Sequence, residues 1–151
     1  MSEPASLRLT IQFACEGVDH PARSALRRWA RAALIQDVAA TLRLVDEVEG
    51  TQLNQDYRGK AKATNVLTFA YGEETAGGPL TGDIVLCAPV VEREANEQGK
   101  TVEAHYAHLT VHGMLHLQGY DHEVDEEAVA MEAVESFIMM RLGYPDPYQD
   151  G

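Results

Sequence analysis

The segment His112-Gly113-Met114-Leu115-His116-Leu117-Gln118-Gly119-Tyr120-Asp121-His122 constrains this chain more than any other. His112 and His116 are four residues apart, so on a helix they share one face about one turn apart. Two imidazoles at that spacing converge on one ion. A third ligand on the next helical turn would point away. Gly119 stops the helix instead, so the chain can turn and carry His122 back to the same point. Three neutral imidazoles around a divalent ion leave the fourth tetrahedral position to water, which is the pattern of catalytic zinc. One zinc ion per chain, held by His112, His116 and His122, is the expected cofactor, although nickel, copper and iron suit the same donors. His108 falls one turn before His112 on this face, as a supporting group, an alternative ligand or a surface residue.

The spacing also fits the zinc-peptidase pattern H-E-x-x-H-x-x-G-x-x-H, with one change. Position 113 is glycine where those enzymes place the glutamate that acts as general base. Peptide hydrolysis is therefore the least favoured reading, and the glycine reads as clearing space beside the metal.

At 151 residues, 45% of them hydrophobic, the chain suits one compact domain over 1–151. No apolar run approaches the roughly 20 residues of a membrane span, so no membrane partner is expected. Met1-Ser2-Glu3-Pro4 lacks the basic start and apolar stretch of a secretory signal. Cys15 and Cys87 form no metal-spaced pair and read as reduced thiols in a cytoplasmic protein.

The net charge of −12 argues at first against a nucleic-acid partner. Its distribution weakens that objection. Residues 1–62 hold nine of the twelve basic side chains against eight acidic ones, so the acidic excess belongs to the rest. Two basic clusters stand out: Arg23, Arg27, Arg28 and Arg31, read as a solvated helix face, and Arg58, Lys60 and Lys62.

Leu7, Leu9, Ile11 and Phe13 alternate with polar residues, the period of a half-buried strand. A helix follows Pro21, with Leu26, Ala30, Ala33 and Leu34 on one side. Further strands are expected at Thr41–Val45, Thr64–Ala70 and Asp83–Cys87, with a polar helix ending near Tyr57 and a loop from Gly72 to Pro79. Helices are expected from Pro89 to about Gln98, from Thr101 to Leu117 and from Asp125 to Leu142. The last would bury Ala128, Met131, Val134, Phe137, Ile138 and Met139. A loose tail is expected over 143–151. The order of elements predicts one α+β domain with about four strands, about five helices and a zincin-like histidine helix.

Three separated blocks resemble the YbeY family of bacterial endoribonucleases. His112 to His122 is similar to the family's H-G-x-L-H-L-x-G-Y-D-H. Asn54-x-x-Tyr57-Arg58-x-Lys60 with Thr64-Asn65-Val66-Leu67-Thr68-Phe69 resembles its second signature, and Gly82-Asp83-Ile84 its third. Ala61 stands where the family usually has aspartate, and Thr68 where it usually has serine.

The resemblance implies one mixed sheet packed with helices. It also implies a zinc-dependent endoribonuclease that acts on single-stranded RNA, matures the 3′ end of 16S rRNA and takes part in ribosome quality control. The small ribosomal subunit and its proteins would be partners. Arg58 carries over as the catalytic basic residue, and Arg58, Lys60 and Lys62 are the expected RNA-binding set. A surface salt bridge closing its helix is the alternative for Arg58. Tyr57, Thr64 and Asn65 either shape the site or cap and pack turns, and Asp83 is expected to be structural. Asp121 is either a partner of a ligating histidine or a proton acceptor. The other class of function is a ribosome-assembly binding factor whose zinc is structural.

Overall fold

A computed structural model describes residues 4–17, 19–121 and 123–148. The elements run β1 (Leu7–Ala14), α1 (Arg23–Ala32), β2 (Val38–Val45), α2 (Glu47–Arg58), β3 (Val66–Glu73), β4 (Leu80–Cys87), α3 (Ala88–Gln98), α4 (Val102–Leu117) and α5 (Asp125–Arg141). The four strands form one mixed sheet in the order β1-β2-β4-β3. β1, β2 and β4 are parallel, and β3 returns antiparallel to β4. The expected α+β class, with four strands and five helices, is the observed one.

Pairing puts Ile11, Leu42 and Ile84 in one row across the sheet. Leu42 and Ile84 are wholly buried, and this row joins Leu26 and Trp29 of α1 and Met114 and Leu115 of α4 in the main core. The opposite sheet face carries a smaller cluster, Val45, Leu67, Val85, Cys87 and Val90, with Leu53 of α2 packed against it.

Two strands begin earlier than their sequence suggests. β2 starts at Val38 because Ala39 and Ala40, poor strand formers alone, pair with β1 on one side and β4 on the other. β4 starts at Leu80 and runs through Gly82. β3 starts at Val66 and takes in Gly72 and Glu73 beyond a register shift, so the loop expected from Gly72 is shorter.

Gly82 is required by close approach. A Cβ there would lie 2.6 Å from Leu117 Cδ1 and also strike the Phe69 carbonyl. Gly113 makes the matching approach from α4, where a Cβ would sit 2.8 Å from Ile84 Cγ2. The expectation that Gly113 clears space beside a metal is therefore corrected: it faces the sheet and lets α4 lie flush on β4.

Arg23 and Arg27 are not simply solvated. Their guanidinium groups donate to the carbonyls of Ile11 (2.9 Å) and Leu9 (2.7 Å) on β1, one of the two edge strands. On α5, Met131 and Met139 are buried as expected and Val134 and Ile138 are partly buried, but Phe137, expected inside, is 61% exposed, and Glu135 is buried with the two methionines. The expected loose tail does not hold for residues 144–148. Tyr144 packs edge-on to Trp29 and donates to Glu103 (2.7 Å), while Ser136 donates to Asp146 (2.6 Å).

Candidate metal centre and its cleft

The histidines are set by α4. Thr101 caps its start, accepting from the Ala104 N–H at 3.1 Å. At the other end Gln118 clasps the helix to the loop after α1. Its Oε1 accepts from the Ile35 N–H (2.7 Å), and its Nε2 donates to the Ala33 carbonyl (2.8 Å). Gly119 then takes φ of +111°, a conformation that glycine adopts without Cβ strain, and the chain turns as expected.

His112 and His116 present parallel rings, 5° between planes and 6.5 Å between centroids, on one side of the helix. Nδ1 of His112 lies 3.2 Å from Glu135 Oε1, so an Nδ1–H donated there leaves Nε2 as the lone-pair nitrogen. An imidazole held in this way, with that of His116 beside it, fits a divalent transition-metal ion in donor chemistry. The third expected ligand, His122, lies outside the described residues. Among the described residues no three His, Cys, Asp or Glu side chains close on one point.

Glu135, which sequence reasoning missed, is the most buried charge near these rings, at 1% exposure. Its carboxylate accepts from His108 Nε2 (2.7 Å), His112 Nδ1 and the Tyr148 hydroxyl (3.0 Å). Burial pushes its pKa up, but the hydrogen bonds and charges of His108 and His112 outweigh this and bring it down to about 2. Such a carboxylate holds its donors rather than taking up protons at neutral pH. Burial and the neighbouring Glu135 push the Tyr148 phenol well up, so it remains a donor. A polar residue midway between Met131 and Met139, on the buried side of a helix, was the available sequence signal.

In front of His112 opens a cleft of about 420 Å³, lined by Arg58, Thr64, Asn65, His112, Glu135 and Tyr148 among others. Arg58 reaches it because α2 ends there: Gly59 follows at φ +68°, its N–H bonded to the Gln55 carbonyl. Arg58 makes no ion pair or side-chain hydrogen bond among the described residues. The salt bridge offered as its alternative role is absent there.

The loop from Gly59 to Asn65 is pinned from beneath by buried Asn54, whose Nδ2 donates to the Lys62 carbonyl (2.7 Å). Asn65 is held in turn, donating to Glu94 (3.0 Å), which also pairs with His105 (2.9 Å). Thus the structure brings Arg58, Thr64, Asn65 and His112 to one cleft. Lys60 and Lys62 are exposed on the loop and do not line it, and Tyr57 packs instead on Phe69, 4.3 Å between rings. Asp83 accepts from the Tyr71 hydroxyl at 2.8 Å across the β3–β4 pair, the structural role expected of it; that bond, with burial, pushes Tyr71 up to about 12. Asp121 accepts from the Glu123 N–H at 3.2 Å, within the turn after α4.

Comparison with known proteins shows the family of the chain. The model of the family described as Endoribonuclease YbeY matches residues 10–143. A protein named Endoribonuclease YbeY from Methylobacillus flagellatus is 60% identical over 142 residues, covering 94% of this chain and 93% of the relative. Its namesake from Nitrosomonas europaea is 56% identical, covering 94% and 85%. The solution structure of TM1509 from Thermotoga maritima superposes with a TM-score of 0.56 at 28% identity, covering 94% of this chain and 99% of that one. The chain belongs to the Endoribonuclease YbeY family.

Proposed function

We propose that this protein is a zinc-dependent endoribonuclease that cleaves single-stranded RNA, with the 3′ end of precursor 16S rRNA on the small ribosomal subunit as its substrate. The observation that carries this reading is the shared cleft: a guanidinium, Arg58, that is unpaired among the described residues and a candidate ligand, His112, line one space of about 420 Å³. His112, His116 and His122 are the residues that would hold zinc. Bound there, the ion would supply a Lewis acid for a phosphoryl oxygen and lower the pKa of water toward neutrality.

Arg58 contributes what a phosphate requires, a planar two-pronged donor that never deprotonates. Charge that builds on the phosphoryl oxygens is stabilised by such a fixed donor without reorganisation. Asn65, held through its Nδ2 by Glu94, keeps its amide oxygen as an acceptor beside Arg58. Lys60 and Lys62, on the exposed loop beyond the cleft, would meet flanking phosphates and supply non-specific, salt-sensitive attraction. Quality control of ribosomes, in a cytoplasmic setting, follows from the same reading.

Gly113 weighs against a peptidase. A glutamate there would be driven into Ile84 rather than toward the metal ligands. The test is cleavage of precursor 16S rRNA by the native protein and by His112→Ala and His116→Ala variants with intact fold, with zinc content measured by elemental analysis. Loss of cleavage together with zinc supports the enzyme. Zinc-free variants that still cleave at the native rate would sink it.

A further inference from the structure

We propose that Glu135 is the positioning residue of the metal centre: from α5 it fixes the ring of His112 on α4, with His108 and Tyr148 completing its set of donors. The inference rests on the reading of His112 as a ligand and concerns how that ligand is oriented.

A carboxylate is costly to bury without compensating partners. Glu135 occupies a position that Leu or Met would fill more cheaply, one turn from both Met131 and Met139, which are equally buried. Among the described residues it forms no salt bridge with a lysine or arginine. Its donors among the described residues are one candidate ligand, His112, and two neighbours, His108 and Tyr148. His112 Nδ1 lies at 3.2 Å and His108 Nε2 at 2.7 Å, and the Tyr148 hydroxyl reaches both carboxylate oxygens at 3.0 and 3.1 Å.

His108 resolves one open choice. Its Nδ1 is buried with no partner among the described residues, so within them it uses one nitrogen only, to donate to Glu135. A histidine in that tautomer, turned to α5, supports the carboxylate and does not replace a ligand. Tyr148 closes the set from outside, its ring edge-on to His108 at 5.3 Å. Placing the acceptor on α5 and the ligand on α4 means that the docking of the two helices sets the ring angle of His112. An acceptor at Nδ1 also raises the basicity of Nε2 toward a metal.

The experiment measures zinc affinity of the full-length protein by chelator competition, with visible absorption of the cobalt-substituted protein as a second readout. Losing a partner of this kind typically weakens metal binding about 10- to 100-fold. Glu135→Gln is expected to fall in that range and to shift the cobalt bands, because the amide keeps the shape but loses the charge. Tyr148→Phe keeps Glu135 and two of its donors, so a smaller, few-fold loss with an unchanged melting temperature is expected. Native zinc affinity and a native cobalt spectrum in folded Glu135→Gln would overturn the proposal. Should that variant not fold, native affinity in Tyr148→Phe overturns it. His112→Ala separates the underlying reading: retained zinc there removes His112 from the ligand set, whereas lost zinc with an unaffected Glu135→Gln rejects the positioning role alone.

Discussion

At the end of α2, Arg58 holds out a guanidinium that no carboxylate among the described residues engages, over a cleft that also contains Glu132 and Glu135. An anion entering the cleft therefore meets one unneutralised cation against a negative background. Arg58→Ala is expected to leave melting temperature and zinc content as they are and to cut RNA cleavage by about 10²-fold or more. Arg58→Lys should recover only part, since an ammonium loses the two-pronged geometry. A variant that melts early yet cleaves normally would return Arg58 to a capping role. Arg58, His112 and His116 were legible because their spacing and sequence blocks carry chemical meaning on their own. Glu135 and Tyr148 were not, because their meaning arises only when α5 and the segment after it fold against α4. Position 135 reads locally as one more acidic residue of an acidic helix, and position 148 as part of a proline-bearing tail.

Between elements, the decisive contact is α4 on β4, where Gly113 stands over Ile84 and Gly82 lies beneath Leu117. Gly113→Ala is expected to destabilise by about 1–3 kcal/mol, the usual cost of forcing a methyl group into a filled core. It would be read as a lower urea midpoint with unchanged slope. Native stability in that variant would mean that α4 can lift from the sheet at no cost. Gly113→Glu should lose more stability and gain no peptidase activity on casein. Helix limits were readable to within a residue or two from Pro21 and Pro89, the glycine stop at 119, and apolar spacing. Strand starts were less so. Ala39, Ala40 and Gly82 have no preference for strand by themselves, and pairing with neighbours on both sides supplies it. The sequence block Gly82-Asp83-Ile84 is thereby explained as packing and cross-strand bonding rather than chemistry.

For the molecule as a whole, His105 couples folding to pH. Burial is the largest influence on it and pushes its pKa below the ordinary 6.5, against the raising effect of the bond to Glu94. Its Nδ1 has no partner among the described residues, so a proton added there would be a buried donor that none of them matches. The unfolded chain takes up that proton near pH 6.5 while the folded chain resists it, so stability falls as pH drops below about 6.5. Melting temperature followed from pH 7.5 to 5 should fall for the native protein and fall less for His105→Gln; parallel curves would show that His105 is not responsible. The general class and the count of elements were evident from periodicity, but which strands lie outermost was not, and that order explains the arginines of α1. A strand at the rim of a sheet is an invitation to foreign chains, because its outward carbonyls wait for any N–H that passes. By spending Arg23 and Arg27 on the carbonyls of Ile11 and Leu9, the molecule seals that rim with its own side chains. The two guanidinium groups keep their charge, but the N–H groups bonded to the rim are not open to a phosphate, so resistance to aggregation and direct contact with RNA draw on one limited set of donors.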